Sequence, residues 1–248
     1  DLTLDLTKVA DLGADYSAYG IKANNKTTIV VDSNKTNPGK NGTITIKAKT
    51  LWSPSGDSGS KYTAAHGIAV GNFSQRFNKK VSEDLVKTTI NADVVIEELR
   101  GGSIKTTGIS SMDCSDLAIN GRFTIKPGAI SLMQWNRGDQ SKTYGIYMIG
   151  SNNTISITSA DIDDSKNGSL SDLIKTDESL WGGKTEKNVL RIGGGTLKVK
   201  ENQKERYLIS AAKGFRTFIN VNQDGSAIGI SKADLQGTIR MDAGSEAY

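Results

Sequence analysis

The sequence predicts an all-β protein built as a β-solenoid, and three observations lead to that prediction. A short phrase of glycine or asparagine, then threonine or serine, then alternating aliphatic and polar residues returns along the chain. A second phrase, an aromatic residue or histidine followed by Gly-Ile, also recurs. Only three prolines occur in 248 residues, so strands can run almost without interruption. Such repeats indicate stacked coils and favour a protein that presents a long surface over an enzyme.

The first phrase is a turn followed by a strand whose alternate side chains point to opposite faces. Aliphatic residues take one face, and threonine, serine or lysine takes the other. Stacked units of this kind have a thin apolar interior and a large polar exterior, which agrees with an apolar fraction of 36%. The copies are Gly42–Ile46, Gly102–Lys105, Asn153–Ile157, Gly195–Val199, Gly237–Met241 and a looser copy at Gly121–Ile125.

The second phrase begins at Tyr19, His66 and Tyr144 and adds a corner to the coil. Asparagine pairs follow the first and third copies, at Asn24-Asn25 and Asn152-Asn153, and another strand pattern comes directly after each pair. Asparagine and glycine suit corners because they accept positive φ at little cost. The unit is therefore a strand, an asparagine corner and a second strand.

The spacing of the first phrase predicts the length of one coil. The interval from Gly195 to Gly237 fits two coils of roughly 21 residues each, a length typical of short-period repeats. At roughly 20–25 residues per coil, the chain would make about ten coils. With coils stacked about 4.8 Å apart, the body would be roughly 50 Å long.

We expect one solenoid segment over residues 1–248, excised from a longer protein and interrupted by short loop or helix excursions. A helical spacing of apolar residues from Phe73 to Leu85 predicts a short helix. Leu170, Leu173 and Ile174 indicate another helical turn. The excursions are expected near 51–64, 74–88, 135–143 and 161–188.

The composition limits which partners and which structural features can be expected. The net charge is +4 and the pI about 9.0, but the lysines are spread out and are not clustered with aromatic residues, so nucleic acid is not an expected partner. No stretch approaches the ~20 apolar residues of a membrane helix. The single Cys114 excludes an intramolecular disulfide.

Two short stretches resemble the nucleophile and histidine phrases of trypsin-like serine proteases. Gly56–Ser60 surrounds Ser58, and His66 follows Thr63-Ala64-Ala65. In that family the histidine comes first and an entire β-barrel lies between the two residues. Here the order is reversed and only eight positions separate Ser58 from His66, so no catalytic residue is assigned.

The tripeptide Arg137-Gly138-Asp139 is the one candidate receptor-binding site. Arginine and aspartate on either side of glycine present opposite charges at the tip of a tight turn. Integrins read this tripeptide, although chance also produces it in chains of this length.

Two acidic stretches are candidates for metal or catalytic sites. Asp163–Ile174 resembles a calcium loop, but the twelfth position holds Ile174 where a bidentate glutamate is needed, so a polar turn is expected and no metal. The carboxylates of Asp161, Asp163, Asp177 and Glu178 would suit a polysaccharide-cleaving enzyme, although their spacing singles out no pair. Trp52, Trp135 and Trp181 are candidates for stacking on sugars.

Together, the Tyr-Gly-Ile phrases at Tyr19 and Tyr144, the asparagine corners and the Gly-Thr-Ile strands resemble the passenger domains of type V autotransporters. These are surface proteins of diderm bacteria. The resemblance implies a right-handed parallel β-helix, few cysteines, and secretion to the bacterial cell surface through a membrane barrel outside this segment. It implies no transferable binding residues, because adhesive surfaces in this group share no motif.

The expected function is therefore that of a non-enzymatic adhesin, without cofactors, that attaches to host cells, matrix or neighbouring bacteria. Its partners would be a host surface protein, a matrix protein or a glycan, or a copy of itself on another cell. A β-helical polysaccharide lyase or glycoside hydrolase is the first alternative. An inert stalk that spaces a distal binding head is the second.

Overall fold

A computed structural model shows an all-β architecture in the part of the chain that it describes. The described residues are 1–5, 17–24, 26–31, 41–47, 64–71, 85–99, 106–127, 143–150, 152–168, 170–177, 188–200, 206–212, 215–219, 227–243 and 245–248. Within these ranges lie twenty strands and no helix. The strands form two parallel sheets of thirteen and seven strands. The predicted all-β class is confirmed for these residues.

The strands stack in three parallel ladders, which we number in the order in which the chain reaches them. Ladder 2 is the seven-stranded sheet, and the long strands β9 and β11 join ladders 1 and 3 into the thirteen-stranded sheet. Ladder 1 contains β1 (Leu2–Asp5), β4 (Thr43–Lys47), β7 (Asp93–Leu99), the second halves of β9 (Ser115–Pro127) and β11 (Thr154–Asp164), β14 (Gly195–Val199) and β18 (Ala233–Gln236).

Ladders 2 and 3 complete each circuit of the chain. Ladder 2 contains β2 (Ser17–Ala23), β5 (Ala64–Gly71), β8 (Thr106–Met112), β10 (Thr143–Ile149), β12 (Asp172–Asp177), β15 (Tyr207–Ala211) and β19 (Ile239–Met241). Ladder 3 contains β3 (Thr27–Val30), β6 (Val86–Asn91), the first halves of β9 and β11, β13 (Val189–Ile192), β16 (Arg216–Ile219), β17 (Ala227–Ile230) and β20 (Glu246–Ala247).

The chain visits the three ladders in rotation, which makes the arrangement solenoid-like. Each passage through ladders 1, 2 and 3 lays one strand on its predecessor in parallel register. The rotation is irregular at one end, where β16 and the following strand β17 both join ladder 3 and pair with each other. β20 then pairs with β16 and not with β17.

The predicted coil length is wrong, because the real coils are longer and unequal. Tyr144 pairs with Asp172 of the next coil, and Ile44 pairs with Val94 of the next coil. The second interval contains nearly twice as many residues as the first, and both exceed the predicted repeat. Ladder 1 has seven strands, so its six steps of about 4.8 Å span about 29 Å.

The error arose from treating two different strands as equivalent. Gly195 opens β14 in ladder 1, and its partner in the next coil is Ala233. Gly237 instead precedes β19 in ladder 2. The interval from Gly195 to Gly237 therefore runs from ladder 1 to ladder 2 and is not a whole number of coils.

Each ladder has a continuous column of buried or half-buried branched aliphatic side chains. A second inward position of more varied residue type lies beside it, as at Ile44, Val94 and Phe123 in ladder 1. Parallel register sets the same position of every coil one above the next, and isoleucine packs well on a pleated surface. Burial of one such side chain contributes about 1.5–3 kcal/mol. The columns are Leu4, Ile46, Ile96, Ile125, Ile162, Leu197 and Leu235 in ladder 1, Ile21, Ile68, Ile109, Ile146, Ile174, Ile209 and Ile239 in ladder 2, and Ile29, Ile90, Ile119, Ile157, Ile192, Ile230 and Ile219 in ladder 3.

Four glycines of ladder 2 let the isoleucine column of ladder 1 come close. A Cβ on Gly20 would lie 2.6 Å from Ile46 Cγ2 and 2.7 Å from the carbonyl oxygen of Gly67. The same contacts recur at Gly67 and Gly108 in the next two coils. At Gly145 the nearest isoleucine atoms are 3.5 Å away, and the coil after it carries a leucine, Leu173. A Cβ on Gly145 would still lie 2.7 Å from the carbonyl oxygen of Leu173, so it is the isoleucine contact that separates the first three glycines from the fourth.

The second sequence phrase is confirmed as a structural repeat of ladder 2. Tyr19 pairs with His66, His66 with Thr107, and Thr107 with Tyr144. The four residues precede the four stacked glycines. The Thr107 copy was not recognised in the sequence because it lacks the aromatic ring.

Asparagine at the corners is confirmed where the chain passes from ladder 2 to ladder 3. Asn152 has φ +57°, the conformation expected of a corner residue. Asn153 is buried, accepts a hydrogen bond from Ser115 Oγ at 2.8 Å and donates one to the Ile149 carbonyl at 2.8 Å. Asn188 occupies the same corner in the next coil, and its Oδ1 accepts a hydrogen bond from the backbone amide of Asn153 at 3.0 Å. Stacked polar side chains thus satisfy the buried backbone at the turn.

Two of the four predicted excursions contain regular strands. In the 74–88 stretch, Val86–Asn91 is β6, and the rest of the predicted helix lies outside the described residues except Leu85. In the 161–188 stretch, β11 runs to Asp164 and Asp172–Asp177 is β12. The helical turn predicted there is wrong, because Leu173 and Ile174 are buried strand residues. Most of 51–64 and 135–143 lies outside the described residues, with Ala64 and Thr143 opening β5 and β10.

The glycine stack yields a stability prediction. Gly67→Ala would place Cβ against Ile96 Cδ1 and 2.7 Å from the Gly108 carbonyl oxygen. The backbone oxygen cannot move without disturbing the ladder, so we expect a loss of about 1–3 kcal/mol in the free energy of unfolding. Urea denaturation followed by circular dichroism measures it.

Gly194→Ala is the matched control for this substitution. The nearest atom to its new Cβ is the Lys232 carbonyl oxygen at 3.5 Å, an ordinary contact. This variant should unfold within about 1 kcal/mol of the wild type. Equal stabilities of the Gly67 and Gly194 variants would contradict the close approach of ladders 1 and 2.

The asparagine corner yields a second stability prediction. Asn153→Ala removes the acceptor of Ser115 Oγ and the donor to the Ile149 carbonyl inside a buried corner. Each buried polar group left without a partner costs about 1–3 kcal/mol, so a loss in that range or above is expected in urea denaturation. The control is Asn120→Ala, because Asn120 is exposed and its Nδ2 donates to Asn91 Oδ1 at the surface. If both variants lose the same stability, the buried hydrogen bonds of the corner contribute no more than the exposed hydrogen bond of Asn120.

Candidate binding cleft on the outer face of ladder 1

The outer face of ladder 1 carries a column of charges with alternating sign. Asp5 pairs in register with Lys47, Lys47 with Glu97, and Glu97 with Lys126. Asp163 follows Ile162, the partner of Ile125, and so continues the column opposite Lys126. Asp163 in turn pairs with Lys198. We call Asp5, Lys47, Glu97, Lys126, Asp163 and Lys198 the charge column.

Ion pairs connect charged side chains on this face. Lys126 Nζ lies 3.1 Å from Glu97 Oε1, and Lys198 Nζ lies 2.6 Å from Asp234 Oδ2. These pairs are largely solvated, and such pairs contribute about 0–1 kcal/mol each. Their main effect is therefore to neutralise the face and fix the positions of its side chains.

An open cleft of about 340 Å³ lies on this face, where β9 and β11 end. Its floor includes Ile125 and Ile162 of the buried column. The turn that follows β11 stands at one side, where Asn167 Nδ2 donates to the Pro127 carbonyl at 3.1 Å. The full lining is Thr124, Ile125, Lys126, Pro127, Asp161, Ile162, Asp163, Asn167 and Thr196. We call it the Asp161–Asp163 cleft.

The two carboxylates of the cleft are held differently. Asp161 Oδ1 accepts the Thr196 amide at 3.1 Å, and Arg122 Nε lies 3.2 Å from Asp161 Oδ2. Asp163 Oδ1 accepts both the amide of Ser165 at 3.0 Å and its hydroxyl at 2.5 Å. The hydrogen bond from the Ser165 hydroxyl is the main reason that the pKa of Asp163 lies below its ordinary value. Asp163 is therefore an anion at neutral pH.

The structure brings together only two of the four carboxylates that the sequence offered for catalysis. Asp161 and Asp163 share one face of β11, whereas Asp177 ends β12 in ladder 2. Glu178 lies outside the described residues. A general acid needs a raised pKa, and the pKa of Asp163 is lowered. The pair is suited to accepting hydrogen bonds.

The calcium-like stretch runs from the end of β11 through a turn at 165–167 into β12. Asp164 is buried, and its Oδ2 accepts a hydrogen bond from the backbone amide of Leu170 at 2.6 Å. This oxygen is therefore bonded to the backbone of the turn. Ile174, at the twelfth position, lies in the buried column of ladder 2. Within the described ranges, no group of three or more histidine, cysteine or acidic side chains is placed to hold a metal.

The outer face of ladder 2 carries aromatic and polar side chains. His66 stacks on Tyr19 with ring centroids 5.1 Å apart, and its Nδ1 lies 2.8 Å from Thr107 Oγ1. The Nζ of Lys22 lies 4.8 Å from the centroid of the Tyr19 ring. The histidine is thus engaged in contacts along its own ladder, and Ser58, the other half of the protease-like pair, lies outside the described residues.

Two buried tyrosines lie further along the same face. Tyr144 and Tyr147 stack with centroids 5.0 Å apart, and the Tyr147 hydroxyl donates to Asp177 Oδ2 at 2.7 Å. Lys175 Nζ lies 3.0 Å from Asp177 Oδ1. Burial, and then the nearby carboxylates, raises the pKa of both tyrosines well above the ordinary value. Both tyrosine rings are buried, whereas the face of ladder 1 has an open cleft.

Several predicted site residues lie outside the described part of the chain. These are Arg137, Gly138 and Asp139 of the receptor-binding tripeptide, and Trp52, Trp135 and Trp181. The tripeptide therefore remains a sequence prediction.

Sequence reasoning missed most of the cleft. Thr124, Lys126 and Thr196 are ordinary polar residues of their own strands, so nothing in the sequence marks them as site residues. Asn167 is a candidate only as part of the calcium-like stretch. A signal does exist, since a charged residue follows the buried aliphatic residue in several copies, as in Ile125-Lys126. Aligning the copies on that residue with unequal coil lengths would have revealed the charge column.

Comparisons with known proteins identify no relative. No family model matches the chain, and neither a curated protein nor a solved structure does. The part of the chain that the structure describes contains no helix with the length and apolarity that a membrane crossing requires.

The buried tyrosines predict a loss of stability at alkaline pH. Because the pKa of Tyr147 is raised by folding, the folded chain holds the phenolic proton more tightly than the unfolded chain. The resulting stability is fully present below about pH 10 and is lost as the pH rises above it, by about 1.4 kcal/mol per pH unit and per group. Tyr147→Phe should therefore flatten the fall in unfolding free energy between about pH 10 and 11.5.

Urea denaturation across this pH range provides the measurement. The slope is compared and not the absolute stability, since Tyr147→Phe also removes the hydrogen bond to Asp177. Tyr248→Phe is the control, because Tyr248 is 52% exposed and its removal should leave the slope unchanged. An unchanged slope in Tyr147→Phe would contradict the burial of this phenol.

Proposed function

We propose that this chain is a surface-exposed adhesin segment that mediates attachment to host cells, matrix or neighbouring bacteria. It would act at the bacterial cell surface, without catalysing a reaction. The observation that supports this most is the outer face of ladder 1, a regular polar surface with an open cleft. Side chains repeated once per coil, about 4.8 Å apart, offer many weak contacts in series. Such contacts gain strength through multivalency on a crowded surface.

As part of this proposal, we take the fold to be a right-handed parallel β-helix. The rotation of the chain among three parallel ladders supports the helix. The right hand is supported by the general rule that crossovers between parallel strands of one sheet are right-handed.

The two alternatives have less support. A glycosidase needs a carboxylic acid with a raised pKa beside a second carboxylate, whereas the pKa of Asp163 is lowered and Asp161 is paired with Arg122. A lyase needs a base that removes the proton next to the sugar carboxylate, and the one amine of the cleft lining, Lys126, is paired with Glu97. An inert stalk needs no cleft lined by carboxylates, hydroxyls, an amide and an amine. The cleft therefore favours a binding role.

An attachment assay with the whole chain tests the proposal. Beads coated with the folded protein should bind cultured epithelial cells, immobilised matrix proteins or bacteria several-fold more than beads coated with the same protein after heat denaturation. Binding to none of these surfaces would leave the stalk as the better interpretation. Release of reducing or unsaturated ends from a panel of polysaccharides would establish an enzyme and overturn the proposal.

A further inference from the structure

We propose that the Asp161–Asp163 cleft binds one neutral sugar residue of a surface glycan. This inference rests on the proposed adhesive function, because it names the ligand class that the adhesin would take. The size of the cleft, the placement of its hydrogen-bonding groups and its charge support it.

The cleft has the dimensions of a site for a small ligand. Its volume of about 340 Å³ lies at the low end of the ~300–1,000 Å³ range of ligand pockets. Pro127 is half-buried and supplies apolar surface among the polar lining residues. A sugar ring presents the same combination, with C–H groups on one side and hydroxyls at the rim.

The carboxylates are spaced to receive hydroxyl groups. Asp161 and Asp163 occupy alternate positions of one strand, so their Cα atoms are separated by about 6.6 Å along it. Ionised carboxylates are pure acceptors with about four lone-pair sites each. Both bonds from Ser165 fall on Asp163 Oδ1, so the lone pairs of Oδ2 are not used by Ser165. Two hydroxyls of one ring can donate to this pair.

The receiving groups are already in place before a ligand binds. Asp161 is fixed by Arg122 and by the Thr196 amide, and Asn167 is fixed by the Pro127 carbonyl. Groups held in advance lose less conformational freedom on binding, which raises affinity. Lys126, Thr124 and Thr196 add donors that can reach sugar oxygens from the remaining sides.

The charge of the cleft selects the class of sugar. Its lining contains two carboxylates and one amine, from Asp161, Asp163 and Lys126, so the net charge is −1. Arg122, paired with Asp161, and Glu97, paired with Lys126, add one charge of each sign, so the balance does not change. Like charges oppose one another across a binding site, so uronic acids and sulfated sugars are disfavoured. A neutral, hydroxyl-rich residue fits best.

The experiment screens the folded chain against immobilised oligosaccharides and then measures affinity by titration calorimetry. The neutral probes are maltose, cellobiose, lactose and diacetylchitobiose, and the acidic probe is an oligogalacturonate. We expect binding to at least one neutral probe and none to the acidic probe. Asp161→Asn and Asp163→Asn should each weaken binding at least tenfold, because a neutral amide is a weaker acceptor for hydroxyls.

A matched control and a second kind of variant accompany these substitutions. Asp242→Asn removes an exposed carboxylate that follows β19 of ladder 2, outside the cleft lining, and should leave affinity unchanged. Thr124→Gln fills the cleft without changing any charge and should also abolish binding. This second variant keeps the test valid if an aspartate substitution disturbs the fold, which circular dichroism reports.

The outcomes separate this inference from the function on which it rests. Beads that attach to cells while the chain binds no neutral probe would overturn the sugar site and leave the adhesin standing. Neutral-sugar binding that survives Asp161→Asn, Asp163→Asn and Thr124→Gln would place the site elsewhere and overturn the inference. Loss of binding on adding a chelator would also overturn it, because a metal ion, and not the carboxylates directly, would then hold the sugar.

Discussion

The close approach of ladders 1 and 2 is the constraint on which the rest of the structure depends. It is possible because Gly20, Gly67 and Gly108 carry no Cβ where Ile46 and its column reach across the interior. A narrow interior is filled by a few apolar side chains per strand, such as Ile44 and Ile46 of β4, so an apolar fraction of 36% suffices. The register of each strand is then fixed, since a slip of one residue would turn its buried column outward.

Fixed register inside dictates the chemistry outside. Every outward position is repeated from coil to coil at about 4.8 Å, so charges of one sign would repel along the column. The alternation from Lys47 to Glu97 to Lys126 removes that repulsion. At the corners the same stacking sets Ser115, Asn153 and Asn188 one above another, and their side chains satisfy one another and the buried backbone. The stacking of equivalent positions in parallel register thus accounts for the core, the corners and the alternating charges.

The sequence predicted the parts of the fold that depend on local chemistry. Alternation of side chains revealed strands, the Tyr19 and Tyr144 phrases revealed one ladder, and Asn152 revealed a corner. Coil length could not be predicted, because the segments between ladder strands differ in length while the pairing they permit is the same. The cleft could not be predicted either, since Thr124, Asp161 and Thr196 meet only through pairing across three coils.

The end of β11 shows how a regular ladder produces a specific site. Asp161 and Asp163 occupy consecutive outward positions, and the intervening Ile162 is locked into the core. The next residue, Asp164, points inward and holds the Leu170 amide, which anchors the turn beside the cleft. Arg206 of the following coil donates to the Leu170 carbonyl from the other side. Four successive residues therefore fix the floor, both carboxylates and one wall of the cleft, so its geometry follows directly from the register of the ladder.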